Sequence, residues 1–442
     1  METESVEGIA GKIMDEALRQ DFSDVIVNAV SGDTRQIRFS ENNIDIFNRW
    51  TETNFQLFLV REKKVVATTA KGIADYREVL ENARKTADVS TPNEEYAGIA
   101  RSTSARNYYT REKKASDADL SGLVHDSINS AAGNGSTGSA GSLYNTFYTR
   151  FLITSSGIRR RESSASYYFS IRCFAGDGAS GHSVVTSLSH SKFRPEKAAL
   201  KASALARAAL NPAVGQEGRF DTVLDPMVVA ALASQVGNMA SAYTVISGFS
   251  CFAGKIGRKV ASPLVTIEDD ATRRLYGFRA FDDEGVAVRR TPIITGGVLK
   301  SYLHNTSTAK KFGTRSTGNA GLIAPESFML SMKEGKSTQD EMIGDVRNGL
   351  YINNTWYTRY SNYARGDFST IPRDAIFLIR RGEIAGSVRG IRVTENLISL
   401  MKRISDISGE REHLSWWGES ETPSTVPYAT VRRLNVTRSS DI

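Results

Sequence analysis

The stretch DPMVVAALASQVGNMASAYTVISGFSCFAGKIG, Asp225 to Gly257, decides how the chain is read. Asp225 can cap the first free N–H groups of a helix, and Pro226 suits the first helical position, where its missing donor costs nothing. Val228, Val229, Leu232, Val236 and Met239 follow at a spacing of about 3.6 residues, which predicts one buried apolar face. The helix is rich in small residues and so can pack closely on a neighbour. Between Pro226 and Cys251 there is no His, Cys, Asp or Glu. Any chemistry at this helix has to proceed without a metal ligand or a general base from it.

Downstream, SCFAGKIGRKVASPLVTIEDD (Ser250 to Asp270) and FDDEGVAVRRTPIITGGVLKSYLHNTSTAKKFGTRSTGNAG (Phe281 to Gly321) carry an ordered series: FxGKxG, VASPLVT, DD, FDDEG, a GVL-K-YL run and STGNA. YARGDFS (Tyr363 to Ser369), FLIRRGEI (Phe377 to Ile384) and SVRG (Ser387 to Gly390) continue it. Together these motifs resemble the TldD/PmbA family, zinc-peptidase-related proteins also called modulators of DNA gyrase. In the TldD branch, the helix before FxGKxG carries HExxGH, whose His residues bind zinc and whose Glu is the general base. Placed without gaps, that pattern falls on Ala233-Ser234-Gln235-Val236-Gly237-Asn238. Gly237 is kept, while Ala233, Ser234 and Asn238 stand at the His, Glu and His positions. A cysteine nearer the C-terminus supplies a third ligand in that branch, and this chain has none after Cys251. The chain therefore resembles the PmbA (TldE) branch. The resemblance implies a non-catalytic subunit with no cofactor or metal of its own. It would pair with a zinc-bearing TldD-like subunit in a heterodimer that cleaves small or unfolded polypeptides.

At 442 residues the chain can bury a large core, and its length favours two or three domains. Hydrophobic residues make up 40% and charged residues 24%, ordinary values for a soluble globular protein. No apolar run reaches the roughly 18 residues of a membrane span. The start, METESVEGIAGKIMDEALRQ, is acidic and amphipathic, unlike a signal peptide, so a cytoplasmic location is expected. Two cysteines, Cys173 and Cys251, make no disulfide framework. The net charge of +7 is spread out, with its densest clusters at Arg159-Arg160-Arg161, Arg380-Arg381 and Arg432-Arg433. With no helix-turn-helix or finger spacing, nucleic acid is not the expected partner.

In chain order, Ser5 to Arg19 reads as an amphipathic helix. Asp24 to Val30 and Thr34 to Ser40 read as strands about a turn at Gly32-Asp33. Phe55 to Val60 and Val65 to Thr69 form a hairpin, and Ile73 to Asp88 a helix. Asp117 to Ala131 is a predicted helix that runs into a Gly/Ser loop. Leu143 to His190 reads as strands and Pro195 to Leu210 as an Ala-rich helix. Asn211 to Gly218 is turn-rich and marks a boundary. Beyond it, strands are expected at Leu264 to Ile267, Tyr276 to Phe281, Thr291 to Ile294, Val298 to Leu303, Leu350 to Ile352, Ala375 to Ile379, Glu383 to Ser387 and Ala429 to Val436. Helices are expected at Thr308 to Phe312, Ser337 to Val346 and Glu395 to Ile407. The expected class is α+β with two domains: residues 1–211 around an antiparallel sheet with helices, and residues 212–442, β-dominated.

Other centres fare poorly. The five histidines, His125, His182, His190, His304 and His413, lack the three- or four-residue spacing that puts two imidazoles on one helix face. Glu268-Asp269-Asp270 and Asp282-Asp283-Glu284 sit where strand geometry sends neighbouring side chains to opposite faces, which favours a structural role. Gly133-x-Gly135-x-x-Gly138 follows a helix instead of a strand, so it reads as a loop and not a dinucleotide site. The run Gly248 to Ile256 is one residue too long for a phosphate loop and lacks its hydroxyl, and Phe252 breaks a GxSxG pattern. Ser316, Thr317, Gly318 and Asn319 remain as candidates to hold a peptide backbone, as do Asn353-Asn354-Thr355 beside Trp356 and Tyr357. The alternative to the subunit reading is a stand-alone binding protein acting on nucleic acid or a topoisomerase. An active peptidase with an unrecognised metal site is a third.

Overall fold

A computed structural model describes residues 5–72, 76–176 and 178–439. It is an α+β fold of 23% helix and 44% strand, with one large sheet in each half of the chain. The first three residues of the helix expected from Ile73 lie outside the described residues.

The N-terminal sheet has seven strands: β1 (Asp24–Ser40), β2 (Asn43–Arg61), β3 (Lys64–Lys71), β4 (Tyr108–Tyr109), β5 (Gly138–Thr154), β6 (Arg159–Phe174) and β7 (Ser180–Ser187). Its order is β3-β2-β1-β5-β6-β4, with β7 also on β6, and the long pairs are antiparallel. The turn expected at Gly32-Asp33 does not form. Gly32 pairs with Glu52 and Tyr148, and Asp33 with Thr51 and Phe147, so β1 runs unbroken. The Asp33 carboxylate is held by Arg49 at 3.0 Å and by Lys114, which makes it a cross-strand anchor instead of a turn residue. The sharp turn lies further on, where Glu41 and Asn42 take positive φ. Four helices cover the face of the odd-numbered β5 and β6 residues: α1 (Val6–Arg19), α2 (Tyr76–Val89), α3 (Asp117–Gly133) and α4 (Pro195–Ala208). Ser5 and Ser116 cap α1 and α3.

The C-terminal sheet has twelve strands. After β8 (Ala213–Val214) and β9 (Gly218–Leu224) come α5 (Pro226–Ala240) and α6 (Ala242–Ile246). A loop-rich region follows, with short β10 (Ile267–Asp269), β11 (Thr291–Thr295), β12 (Val298–Leu299), α7 (Thr306–Lys311), β13 (Leu330–Met332) and α8 (Gln339–Gly344). Long strands close the chain: β14 (Asn348–Asn362), β15 (Asp367–Arg380), β16 (Glu383–Arg389), β17 (Ile391–Asn396), then α9 (Leu397–Lys402), β18 (Ile404–Trp416) and β19 (Ser420–Arg438). Several expectations change. Tyr276–Phe281 is irregular, only Ile267 of Leu264–Ile267 lies in a strand, the strand expected over Val298–Leu303 covers only Val298–Leu299, β14 is far longer than Leu350–Ile352, and the helix expected over Glu395–Ile407 spans only Leu397–Lys402. The long β14 and the short α9 fall where pairing with other strands overrides local pattern.

Helix α5 is the centre of the C-terminal core. Twelve of its fifteen residues are buried, and it lies on β19 and β14. Asp225 caps it, accepting from the Met227 N–H at 2.9 Å. This fully buried carboxylate also meets Lys201 at 3.1 Å and the Tyr351 hydroxyl at 2.7 Å. Lys201 lies on α4, so the cap ties the N-terminal helices to the C-terminal sheet.

A second tie is Arg150 on β5. It is 4% exposed and meets Glu162 at 3.1 Å and Asp283 at 2.8 Å. It also donates to the Phe281 carbonyl and lies over the Phe281 ring at 4.3 Å. Removing one member of such a buried group strands the others' charges, at a cost of about 3–5 kcal/mol. Arg150→Ala is expected to lower unfolding free energy by that amount in urea titrations. Exposed Arg365→Ala, whose guanidinium meets Asp367 at 3.2 Å on the surface, is expected to lose less.

Candidate functional site

Among the described residues, the even-numbered face of β5 and β6 bears no helix and looks across a trough to the loops of the C-terminal half. The absence of a bulge between β5 and β6 keeps alternate residues on this one face. Three adjoining clefts follow it. The first, about 800 Å³, is lined by Tyr144, Tyr168, Arg172, Trp356, Trp416 and Trp417. The second, about 620 Å³, has Tyr148, Ser164, Ser166, Asn238, Tyr276 and Ser327. The third, about 480 Å³, shares Tyr148, Arg279 and Glu326 with the second and ends at Arg150 and Asn54. From Arg172 to Glu162 the floor runs ten residues of β6, roughly 33 Å at 3.3 Å per residue.

Helix α5 reaches this trough through one residue. Asn238 is exposed in the middle cleft. Ala233 is 2% exposed and Ser234 5% exposed, and the Ser234 hydroxyl lies 3.4 Å from that of Ser420. Gly237 is required by packing: a Cβ there would stand 2.4 Å from Ser327 Oγ and 3.1 Å from Leu330 Cδ1. The helix thus keeps the close approach that aims position 238 into the trough, but the three positions offer a methyl, a hydroxyl and an amide. That donor set does not fit zinc, which takes imidazole, thiolate or carboxylate. Among the described residues no three His, Cys, Asp or Glu side chains are grouped to hold a metal ion.

The middle cleft is a hydrogen-bonding surface. Burial pushes the Tyr148 and Tyr276 phenols up, so both stay protonated. Arg279 lies over the Phe328 ring at 4.1 Å and meets Asp283 at 3.3 Å. Burial works against its charge, but Asp283 and Glu162 more than restore it. Glu326 is open to solvent at one edge. The crowding walls, and then Asp283, still push its pKa up against the pull of Arg279.

The four loop candidates do not line the trough. Thr317 and Asn319 are buried, and the Thr317 hydroxyl is used by the main chain of His304 at 2.7 and 3.1 Å. Asn319 donates to Asp269 and to the Glu326 carbonyl at 2.9 Å. Gly318 has φ +73°, and a Cβ there would meet the Ala287 carbonyl oxygen at 2.4 Å. Ser316 donates to the His304 carbonyl at 3.2 Å. The turn braces the loop that carries Glu326 and Ser327. Asn353, Asn354 and Thr355 are buried within β14, not in a loop.

The acidic runs also brace loops. Asp269 accepts from the N–H groups of Phe328 and Met329 at 2.9 and 2.8 Å. Asp282 accepts from Glu284, Val286 and Ala320 at 3.0, 2.8 and 3.0 Å. Burial raises the Asp269 pKa to about 6; burial and then the Asp283 charge raise Asp282, and burial and then the Asp282 charge raise Glu284. Cys173 and Cys251 are buried thiols, each pushed up to about 11 by burial, and so are poor nucleophiles.

The sequence spacing argues only against His182 as a metal ligand; in the fold its Nε2 lies 2.9 Å from Ser170 Oγ at the wide end of the trough. The pair has the spacing of a nucleophile and base but the wrong polarity. Asp374 accepts from the Asn354 amide nitrogen at 2.6 Å, which fixes the amide's orientation. The same nitrogen faces His182 Nδ1 at 3.0 Å, so Nδ1 accepts and Nε2–H donates to Ser170. His182 cannot take the Ser170 proton. Burial holds its pKa down to about 4, against the pull of Asp374. Since an unfolded His titrates near 6.5, the folded state binds fewer protons between about 6.5 and 4, and stability is lost as pH falls through that window. The raised Asp269, Asp282 and Glu284 act in the opposite sense. In His182→Gln, the stability difference between pH 7 and pH 5 is expected to shift by on the order of 1–2 kcal/mol relative to the parent, measured by denaturant unfolding at both pH values.

Comparison with known proteins places this geometry. Residues 217–438 match the PmbA/TldA metallopeptidase C-terminal domain and residues 104–210 its central domain. A "Metalloprotease" of Methanothermobacter thermautotrophicus is 32% identical over 199 residues, 44% of this chain and 43% of that one. A "Metalloprotease TldD homolog" of Haemophilus influenzae is 32% identical over 170 residues, 37% of this chain and 35% of that one. The chain thus matches less than half the length of these curated relatives. The crystal structure of TldE from Thermococcus kodakarensis shares the fold at TM-score 0.82 and 19% identity, covering 97% of this chain and 100% of that one. A putative modulator of a DNA gyrase from Thermotoga maritima does so at TM-score 0.83 and 18% identity, covering 98% and 100%. Both matched domains and the ordered motifs lie on one continuous fold, and the chain belongs to the PmbA/TldD metallopeptidase family.

Proposed function

We propose that this chain is a non-catalytic, TldE-like subunit that binds extended polypeptide and works with a zinc-bearing TldD-like partner. The observation that carries the reading is α5. Its Gly237 packing is intact and position 238 opens into the trough, yet Ala233, Ser234 and Asn238 supply neither a zinc ligand nor a base. A zinc-activated water needs both. What the trough offers instead are hydroxyls, phenols, an amide and the Arg279–Glu326 neighbourhood, groups suited to holding a peptide main chain. Its floor has room for about ten extended residues. The partner supplies the metal and the chemistry; this chain supplies one wall and part of the grip. Among the described residues no helix is long and apolar enough to cross a membrane.

The test is metal content and peptidase activity of the purified chain, alone and mixed with a TldD-like subunit from the same cell. The reading expects no stoichiometric zinc and no cleavage by the chain alone, and cleavage by a co-eluting mixture. Chelator-sensitive cleavage by the chain alone would overturn it. The triple substitution Ala233→His, Ser234→Glu and Asn238→His is expected to remain inactive by itself. Neither a third ligand nor groups to orient the new imidazoles are in place.

A further inference from the structure

We propose that the wide end of the trough is a recognition pocket for an aromatic side chain of an extended polypeptide, with an acidic residue beside it meeting Arg38. The inference rests on the peptide-binding reading above and adds what the peptide must carry.

The cleft of about 800 Å³ falls within the usual range for ligand sites. Its walls are aromatic. Trp356 packs edge-to-face with Trp416 at 5.2 Å and with Trp417 at 6.5 Å. Across the cleft, Tyr144 and Tyr168 meet edge-on at 6.1 Å. Trp417 is 76% exposed at the β18–β19 turn, which Gly418 permits at φ +98°. Its edge-on packing leaves ring surface open to a guest, and aromatic pairs favour such offset or tilted geometry.

Charge decides the second half of the proposal. Arg172 lies over Trp356 at 5.4 Å, and Asp374 holds it at 2.8 and 3.0 Å, so its charge is already answered. Arg38 stands exposed on the rim, and among the described residues it has no ion-pair partner. Asp45, also on the rim, accepts from Ser40 at 2.6 Å. A carboxylate next to the guest ring would meet Arg38. The cleft also continues along one sheet face towards Ser166 and Asn238, where the tryptophans end and phenols, hydroxyls and an amide take over. An extended chain lying in the trough would therefore place one side chain among the indole rings and its neighbours among phenols and hydroxyls.

The probes are capped decapeptides of Ser, Ala and Gly with a central Phe-Asp, Ala-Asp or Phe-Lys pair. Binding to the isolated full chain is followed by tryptophan fluorescence and calorimetry. Phe-Asp is expected to bind at least about tenfold more tightly than Ala-Asp, and Trp417→Ala to remove most of that advantage. Arg38→Glu is expected to reverse the order of Phe-Asp and Phe-Lys. Both substituted residues are exposed, and circular dichroism checks that the variants fold. Equal binding of Phe-Asp and Ala-Asp, an unchanged advantage in Trp417→Ala, or an unchanged order in Arg38→Glu would each overturn the proposal. Cleavage of an aromatic-free peptide by the mixture with the TldD-like subunit separates the two readings. If that cleavage persists while the aromatic preference is absent, only the pocket fails. If both are absent, the subunit reading fails with it.

Discussion

Arg150 holds the architecture where β5 of the N-terminal sheet meets the C-terminal loops. Its guanidinium is shared between Glu162 on the next strand and Asp283 in the C-terminal loops, with the Phe281 ring and carbonyl beside it. Glu162 in turn accepts from the Ala280 N–H at 2.8 Å. Nearly all the polar groups of this joint find partners inside the protein, as burial of charge demands. Because the joint is fixed, the bare face of the N-terminal sheet stands at a set distance from the loops opposite. That separation is the trough.

The other wall depends on long loops, and loops buried beside a cleft must satisfy their own main chain. Here carboxylates do that work. Asp269 and Asp282 accept from backbone N–H groups, Asn319 joins Asp269 to the Glu326 carbonyl, and Glu284 accepts from Thr306 N–H at 3.2 Å. The same burial that makes these bonds necessary raises the carboxyl pKa values. Perturbed acids often mark catalytic centres. In this chain Asp269 and Asp282 lie behind the trough wall and hold it, while Glu326 is a perturbed acid at the trough's edge, beside hydroxyls, phenols and aromatic rings.

Helix α5 connects the two themes. Its cap, Asp225, is shared with Lys201 of α4, so the helix is fixed relative to both halves. Gly237 lets it approach the Ser327 loop, and position 238 emerges into the cleft. A scaffold that would aim a ligand is preserved around a residue that cannot bind zinc as one. Retention of the geometry without the chemistry is consistent with a surface kept for binding.

The residues alone determined a good deal. The Asp225-Pro226 start and apolar spacing of α5 and the family motifs are local patterns, and each is legible from neighbours in the chain. So is the absence of zinc-ligating side chains on α5, since side-chain identity needs no coordinates. Tertiary structure decided the rest. The continuity of β1 through Gly32-Asp33 depends on partners on both sides, and the length of β14 on pairing with β9 and β15. The STGNA turn looked like a binding loop because polar residues and glycine serve equally to expose a backbone or to brace one. Only burial told the two apart. The trough joins Tyr144, Asn238, Glu326 and Trp417, residues far apart in sequence whose proximity is set by packing of one sheet against distant loops. No periodicity along the chain encodes that meeting, because the contacts that create it are made between elements and not within them.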